Sequence, residues 1–423
     1  MNSRRIIPRV VWQGQVCDCI VEGDKIAELR PVGDTETSGK ELVLLPGLID
    51  CHTHLREPGQ EHKEDINSGL TAAASGGFSN ISCMANTVPV NDNAAVTSMM
   101  LQTAAACKPE GPALHPVGAL SRGLAGKELA FMYELAQAGC IAFSNDGVPV
   151  SDSGLMRRAM EYSADLQLPV IDHCEDPDLS PEGVINEGLM SERLGLKGVP
   201  SISESIQVAR DILLASYLEV HVHLAHISRR ESVELIHWAK KKGVPVSAET
   251  CPHYLLWTEE EVAGYDPLCK VNPPLGTTDD VTALRQAVRE GVIDILVTDH
   301  APHAQFEKET PFSRAPNGIS GLDTAMSLCW SLVEDDVLTQ KDLVRLWRSR
   351  PAQIFGLRDN GFQPGDPADL LLFDPGDSWT PTPETMFSRG KNTPCLNREL
   401  PGRIRLNCRR GKILYGEFPQ ETS

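Results

Sequence analysis

The chain has 423 residues, 41% of them hydrophobic and 23% charged, enough to bury a large core in one big α/β domain with an accessory unit. Its 58 acidic and 39 basic residues leave a formal net charge of −19, which repels phosphate backbones and anionic lipid. Nucleic-acid and membrane-surface partners are therefore not expected, whereas a few cations in a cleft still admit a small anionic substrate.

Residues 1–9 carry charges but no long apolar segment of the signal-peptide kind. No apolar run approaches the ~20 residues of a spanning helix. The twelve cysteines follow no framework spacing, so free thiols in a reducing, cytoplasmic setting are expected. Cys17-Asp-Cys19 lacks the second cysteine pair of a structural zinc site.

In chain order, residues 1–46 show short β-type runs such as Ile6-Ile7 and Val10-Val11-Trp12, punctuated by Gly14, Gly23 and Gly33. The segment from 364 onward reads alike, with an apolar run at 370–373 and further runs near Ile404 and Ile413. Each set is too small to be stable alone. Residues 1–46 and 364–423 are therefore expected to form one small β-sandwich domain, and 47–363 the other domain.

Between the two ends, eight strand candidates alternate with helical patterns: 47–50, 78–84, 115–120, 140–144, 169–172, 219–225, 244–248 and 294–297. Ser201 with Glu204 reads as a capping box, followed by Ile206, Ala209 and Leu213 on one helix face. Ser228 with Glu231 reads as another, leading through Val233, Ile236 and Ala239 to a lysine-rich last turn and Gly243. Asp279-Asp280 opens a helix that Gly291 ends. Eight alternations predict a closed (β/α)8 TIM barrel, whose reactive residues lie at the C-terminal strand ends.

The chemistry-bearing residues fall at those ends. His52 and His54 lie two apart where the first strand finishes, on one face of an extended chain. An isolated His-x-His is a weak signal. Strand four ends in Asp146, strand five in His173, strand six in His226 and strand eight in Asp299. Four imidazoles and two carboxylates suit zinc or a similar borderline metal, and six ligands exceed one tetrahedral ion. One or two ions per chain are expected, with two favoured and Asp146 as the bridge. His221 and His223 have the opposite strand parity to His226 and should face the helix layer. His62, His115, His237 and His253 read mainly as packing or surface residues, and His253, just after strand seven, is the most interesting of these.

Longer motifs add a family resemblance. The segment His52-Thr-His-Leu-Arg-Glu-Pro-Gly59 and the segment Thr298-Asp-His-Ala-Pro-His303 with Lys308 resemble two signatures of dihydroorotases. These belong to the amidohydrolase superfamily, and the likeness is to the long bacterial type in particular. Further blocks around Asn86, His173, Asn272, Asn317, Pro351 and Lys391 keep the family's order over most of the chain. The resemblance implies that His52, His54 and Asp299 hold one metal and His173 and His226 a second. Many superfamily members bridge with a carboxylated lysine. The segment 143–147 contains none, and the long bacterial type uses an aspartate, here Asp146.

It implies a reversible cyclisation of N-carbamoyl-L-aspartate to (S)-dihydroorotate in pyrimidine biosynthesis. Water activated by metal would be the nucleophile in the reverse direction, with Asp299 as general acid and base. Arg56, Asn86 and His303 would bind the substrate carboxylate, and Asn272 the ring amide. Departures from the family pattern occur at Met84, Ile171, Gly276 and Asn317. The stretch 304–317 is the candidate flap over the site. A homo-oligomer and a partnership with aspartate transcarbamoylase are the expected associations. The alternatives are another cyclic amidohydrolase (hydantoinase, dihydropyrimidinase or allantoinase) and a non-catalytic scaffold for the transcarbamoylase.

Overall fold

The computed structural model describes residues 4–33, 41–359 and 361–419. Near the N-terminus, β1 (Arg4–Trp12), β2 (Gln15–Glu22) and β3 (Lys25–Pro31) form an antiparallel meander, and β4 (Val43–Pro46) joins β1 in parallel.

The barrel strands follow. They are β5 (Leu48–Thr53), β6 (Phe78–Cys83), β7 (Ala113–Pro116) with its continuation β8 (Gly118–Ala119), β9 (Phe143–Ser144) and β10 (Val170–Asp172). A two-stranded ribbon, β11 (Ile185–Asn186) and β12 (Gly198–Val199), is inserted before β13 (Val222–Leu224), β14 (Val246–Thr250) and β15 (Ile295–Leu296). The chain ends in β16 (Leu370–Trp379), β17 (Leu400–Arg409) and β18 (Lys412–Gly416).

Counting β7 and β8 as one interrupted strand, the barrel has eight strands, each paired in parallel with its neighbours from β5 to β15. It closes where His54 N donates to His300 O at 2.8 Å and Thr53 bridges His300. The architecture is the expected (β/α)8 barrel with a small β unit drawn from both chain ends.

That unit is one seven-stranded sheet, ordered β18-β17-β16-β4-β1-β2-β3. It curls until Ile26 N bonds Asp366 O and Gly365 N bonds Ile26 O. The run 370–373 is apolar at every position because both its faces are covered. Leu370 and Leu372 pack with Ile7, Cys19, Leu44 and Leu406 in the small core, whereas Leu371 and Phe373 belong to the barrel's core. Cys17 and Cys19 are buried there as apolar groups, and all twelve cysteines are free thiols. The loop between β16 and β17 returns to the barrel, where Ser388 Oγ and Arg389 N meet Glu64 and Asn392 holds Ala301, His303 and Gly318.

The helices form where their patterns place them, with one reversal. Helix α1 (Ile202–Leu218) buries Val208, Ile212 and Ala215, while Ile206 and Leu213 are exposed. The face expected from Ile206, Ala209 and Leu213 is thus the solvent side. Its capping box does not form, because Glu204 turns inward to accept from Ser228 N, Ser228 Oγ and Arg229 N. Glu204 thereby satisfies donors at the start of α2 (Arg230–Lys241), and Ser228 does not cap its own helix. Helix α3 (Thr278–Glu290) has the expected acidic first turn, with Thr277 and Asp280 in a reciprocal cap and Gly291 at φ +75° as its stop. Among the described residues no helix is long and apolar enough to cross a membrane.

Candidate active site

Strand β5 delivers His52 and, one step beyond its end, His54 to the barrel mouth. Asp146 lies two residues after β9, His173 directly after β10, and His226 two residues after β13. Asp299 follows β15 at φ +44°, and His226 has φ +32°. Left-handed backbone at non-glycine residues costs on the order of 1–3 kcal/mol and persists only where surroundings enforce it. At both positions the turn swings a side chain off the strand direction into the mouth.

All six groups converge. Asp146 Oδ1 lies 3.4 Å from His52 Nε2, 3.3 Å from His173 Nδ1 and 3.2 Å from His226 Nε2, while its Oδ2 is 3.3 Å from His54 Nε2. Asp299 Oδ1 lies 3.1 Å from His54 Nε2 and 3.6 Å from His52 Nε2. One carboxylate therefore faces all four imidazoles, and the other faces the pair from β5. His173 Nδ1 and His226 Nε2 approach each other to 2.8 Å.

Electrostatics follow from that crowding in a buried place. Burial alone would depress His52, but the Asp146 and Glu249 carboxylates outweigh it and hold its imidazolium well above the ordinary range. His173 is pushed up to about 10, burial being outweighed by Asp146 and Glu175. Burial would raise Asp146, yet His52, His173 and His226 hold its carboxyl well below the usual range. His52 Nε2 is buried with no hydrogen-bond partner among the described residues, although its ring is otherwise anchored. An orphaned imidazole nitrogen facing two carboxylates, among three more imidazoles, fits a divalent cation of the zinc type. Among these six groups, two triads have ligand atoms mutually close enough to share an ion, His52 with Asp146 and His226, and His52 with His54 and Asp299.

The remaining expected residues lie around one cavity of about 210 Å3, lined by Arg56, Asn86, Asn272 and His303 together with His54, Asp146, His173, His226 and Asp299. Arg56 has φ +62° and gives Nε to Pro302 O at 3.3 Å. Asn86 Oδ1 accepts from His54 Nδ1 at 2.8 Å, so this side chain orients a histidine as well as lining the cavity. Asn272 donates Nδ2 to Glu175 Oε2 at 2.9 Å and lies 3.3 Å from His173 Nε2. His303 Nε2 donates to Asn317 O at 2.9 Å, and burial beside Arg56, Lys63 and Lys308 presses its pKa down to about 3. Gly318 (φ +138°) lets the chain pass here, because a Cβ would stand 2.6 Å from Ala301 O.

Three acids and one histidine of this neighbourhood escaped the sequence reading. Glu249 bonds His52 Nδ1, and Glu175 bonds both His173 and Asn272. Asp50 accepts from Thr298 and from His52 N. The signal available for Glu249 was its place just after a predicted strand, beside Cys251. His223 does not face the helix layer: it is fully buried and bonds Ser247 and Glu249 on the interior face. Counting parity back from His226 fails because β13 stops at Leu224 and the chain leaves extended geometry before His226. His221 bonds Ser247 as well, His115 bonds Asn80, and His62 stacks on Phe306. His253 is buried against Tyr254, with burial lowering its pKa to about 4.

Comparison with known proteins places the chain in a family. A family model described as dihydro-orotase-like matches residues 41–232. The chain is 46% identical over 422 residues to the dihydroorotase of Syntrophus aciditrophicus, covering 98% of each chain. It is 45% identical over 421 residues to that of Geobacter metallireducens, covering 98% of this chain and 99% of the relative. Among solved structures, the L-hydantoinase (dihydropyrimidinase) of Arthrobacter aurescens aligns with a TM-score of 0.83 at 22% identity, over 98% of this chain and 96% of that one. Dihydropyrimidinase from Brevibacillus agri aligns at 0.76 and 21%. At such identities the likeness concerns the barrel and its accessory unit.

Proposed function

The chain belongs to the dihydroorotase family, and on that premise we infer that its barrel mouth interconverts N-carbamoyl-L-aspartate and (S)-dihydroorotate, a ring-closing step of pyrimidine biosynthesis. The observation that carries the reading to this chain's own residues is the meeting of four imidazoles and two carboxylates from five separate strand ends, all but the fully buried His52 lining the cavity that Arg56 also lines.

His52, His54 and Asp299 would hold one metal ion, His173 and His226 a second, with Asp146 between them; zinc is the ion this donor set suits. When bound, such ions polarise a carbonyl and lower the pKa of water from ~15.7 to about 7.

The protein groups supply the rest. Arg56 presents a fixed positive fork to the substrate's carboxylate, the side-chain type best matched to that shape. Asn86 and His303 line the same cavity as Arg56, and Asn272 stands beside His173 for the ring amide. In ring opening, water oxygen adds to the ring carbonyl carbon, the C–N bond breaks, and Asp299 carries the water's proton to the departing nitrogen. In ring closure the same carboxylate takes the proton from the ureido nitrogen and gives it to the leaving oxygen. Orientation inside a small cavity converts an encounter into a unimolecular step.

Zinc, a two-ion site, a homo-oligomer, the transcarbamoylase partnership and the cytoplasm belong to this same reading. Twelve free cysteines support the reducing setting, and the net charge of −19 supports a small-molecule partner over nucleic acid. The experiment is metal analysis of the purified protein together with cyclisation of N-carbamoyl-L-aspartate. Turnover of hydantoin or allantoin in place of dihydroorotate would overturn it, and co-purification tests the transcarbamoylase.

A further inference from the structure

We propose that Glu249, backed by His223, is a positioning residue that sets the ring tautomer of His52 and anchors the backbone turn at His226, so that both halves of the metal-holding cluster are aimed from one carboxylate. The inference rests on the reading that His52 and His226 hold metal.

Glu249 lies on β14, fully buried on the barrel's interior face. Its Oε1 stands 2.6 Å from His52 Nδ1 and 3.3 Å from His226 N, and its Oε2 stands 2.9 Å from His223 Nε2. His223 is held in turn by Ser247 Oγ at 2.6 Å on Nδ1, and its ring packs edge-on against Phe355. A backbone N–H can only donate, and a carboxylate accepts through both oxygens. The arrangement therefore places the ring protons on His52 Nδ1 and His223 Nε2. In the neutral ring that would hold a metal, protonation on Nδ1 leaves the lone pair of His52 on Nε2, the atom that faces Asp146 and Asp299 without a hydrogen-bond partner among the described residues.

The second role concerns the turn after β13. His226 leaves the strand at φ +32°, so its N–H has no ladder partner in extended geometry. Glu249 Oε1 accepts it. One acid thereby orients a first-strand imidazole and pins the turn that brings a sixth-strand imidazole to Asp146. A buried acid is a costly way to fill a barrel interior, and an apolar residue of the same volume is often as stable or more so. The geometry accounts for it through the imidazoles it aims.

The test uses full-length protein loaded with Zn2+ or Co2+ and titrated with a chromogenic chelator. Glu249→Gln keeps the shape and one acceptor but removes the second. It is expected to hold metal roughly 10–100-fold more weakly, the usual cost of losing such a partner. His223→Phe keeps the ring against Phe355, removes one donor to Glu249, and is expected to weaken retention less. Equal retention by wild type and a folded Glu249→Gln protein overturns the proposal while leaving the metal site standing. Wild-type protein that takes up neither ion overturns the site reading and this inference together. Should the variants not fold, long-range 1H–15N correlation of the loaded wild type decides: His52 protonated on Nδ1 is expected, and protonation on Nε2 refutes it.

Discussion

Thr298 donates its hydroxyl to Asp50 at 2.5 Å, across the seam where the last barrel strand meets the first. Asp50 Oδ1 also receives Thr298 N and His52 N, each at 3.2 Å. One buried carboxyl thus ties the segment carrying Asp299 to the strand carrying His52. Burial pushes the Asp50 pKa up to about 7, against the pull of Thr298 and of His52. Thr298→Val strands part of that hydrogen-bonding capacity in a dry place. A stability loss of about 1–3 kcal/mol is expected in urea unfolding, with lower turnover; an unchanged midpoint would show that the seam does not depend on this bond.

Asp299 is the proton carrier of the proposed reaction. Asp299→Ala is expected to keep the native circular dichroism spectrum and to lose turnover in both directions by roughly 10²–10⁴-fold. Near-normal rates in either direction would remove it from the mechanism.

Arg56 is buried at the cavity wall, with only a backbone carbonyl as hydrogen-bond partner among the contacts described. Loss of a charged hydrogen bond is worth about 1.5–3 kcal/mol, so Arg56→Met is expected to raise KM for dihydroorotate by roughly ten- to a hundredfold. Metal content should stay at the wild-type level. If metal falls instead, Arg56 supports the cluster and not the substrate.

Asp146 faces all four imidazoles, so its removal should be felt by both halves of the cluster. Asp146→Ala is expected to bind fewer ions per chain by elemental analysis and to lose turnover. Chelator treatment of the wild type should likewise abolish turnover, with restoration on adding Zn2+. Unchanged metal stoichiometry in the variant would exclude a bridging role.

Lys308 donates Nζ to Pro316 O at 2.8 Å and to Pro267 O at 3.0 Å, pinning the loop that carries Asn317 beside His303. Burial, then the neighbouring Lys270, brings its pKa down to about 7. The unfolded chain, with an ordinary lysine near 10.4, binds an extra proton between those values. Native stability therefore carries a penalty below pH 7 that is relieved as pH rises toward about 10. The melting temperature of wild type relative to Lys308→Met should rise between pH 6.5 and pH 9.5. A difference independent of pH would contradict the depressed value.

The strand order, the barrel and the ligand-bearing ends were legible because each depends on local pattern. Eight apolar runs alternate with helical ones, and His52, His54, Asp146, His173, His226 and Asp299 sit at or just beyond predicted strand ends. The topology of a closed parallel barrel then brings those ends to one rim. That the two chain ends join in one small β unit was likewise legible, since neither end can bury its apolar face alone, whereas the single seven-stranded sheet in place of the expected sandwich was not.

What only the tertiary structure decided is where local rules compete with packing. Glu204 abandons its own helix cap for the start of the next helix, and the same helix buries Val208 and Ile212 while Ile206 and Leu213 face solvent. His223 points inward although strand parity assigned it outward, because a left-handed turn at His226 resets the alternation. Glu249 finds His52 through a contact 197 residues apart in the chain. Periodicity reports which face a residue shares with its near neighbours. The direction of a side chain after a turn, and the distant group it meets, follow from the closure of the barrel as a whole.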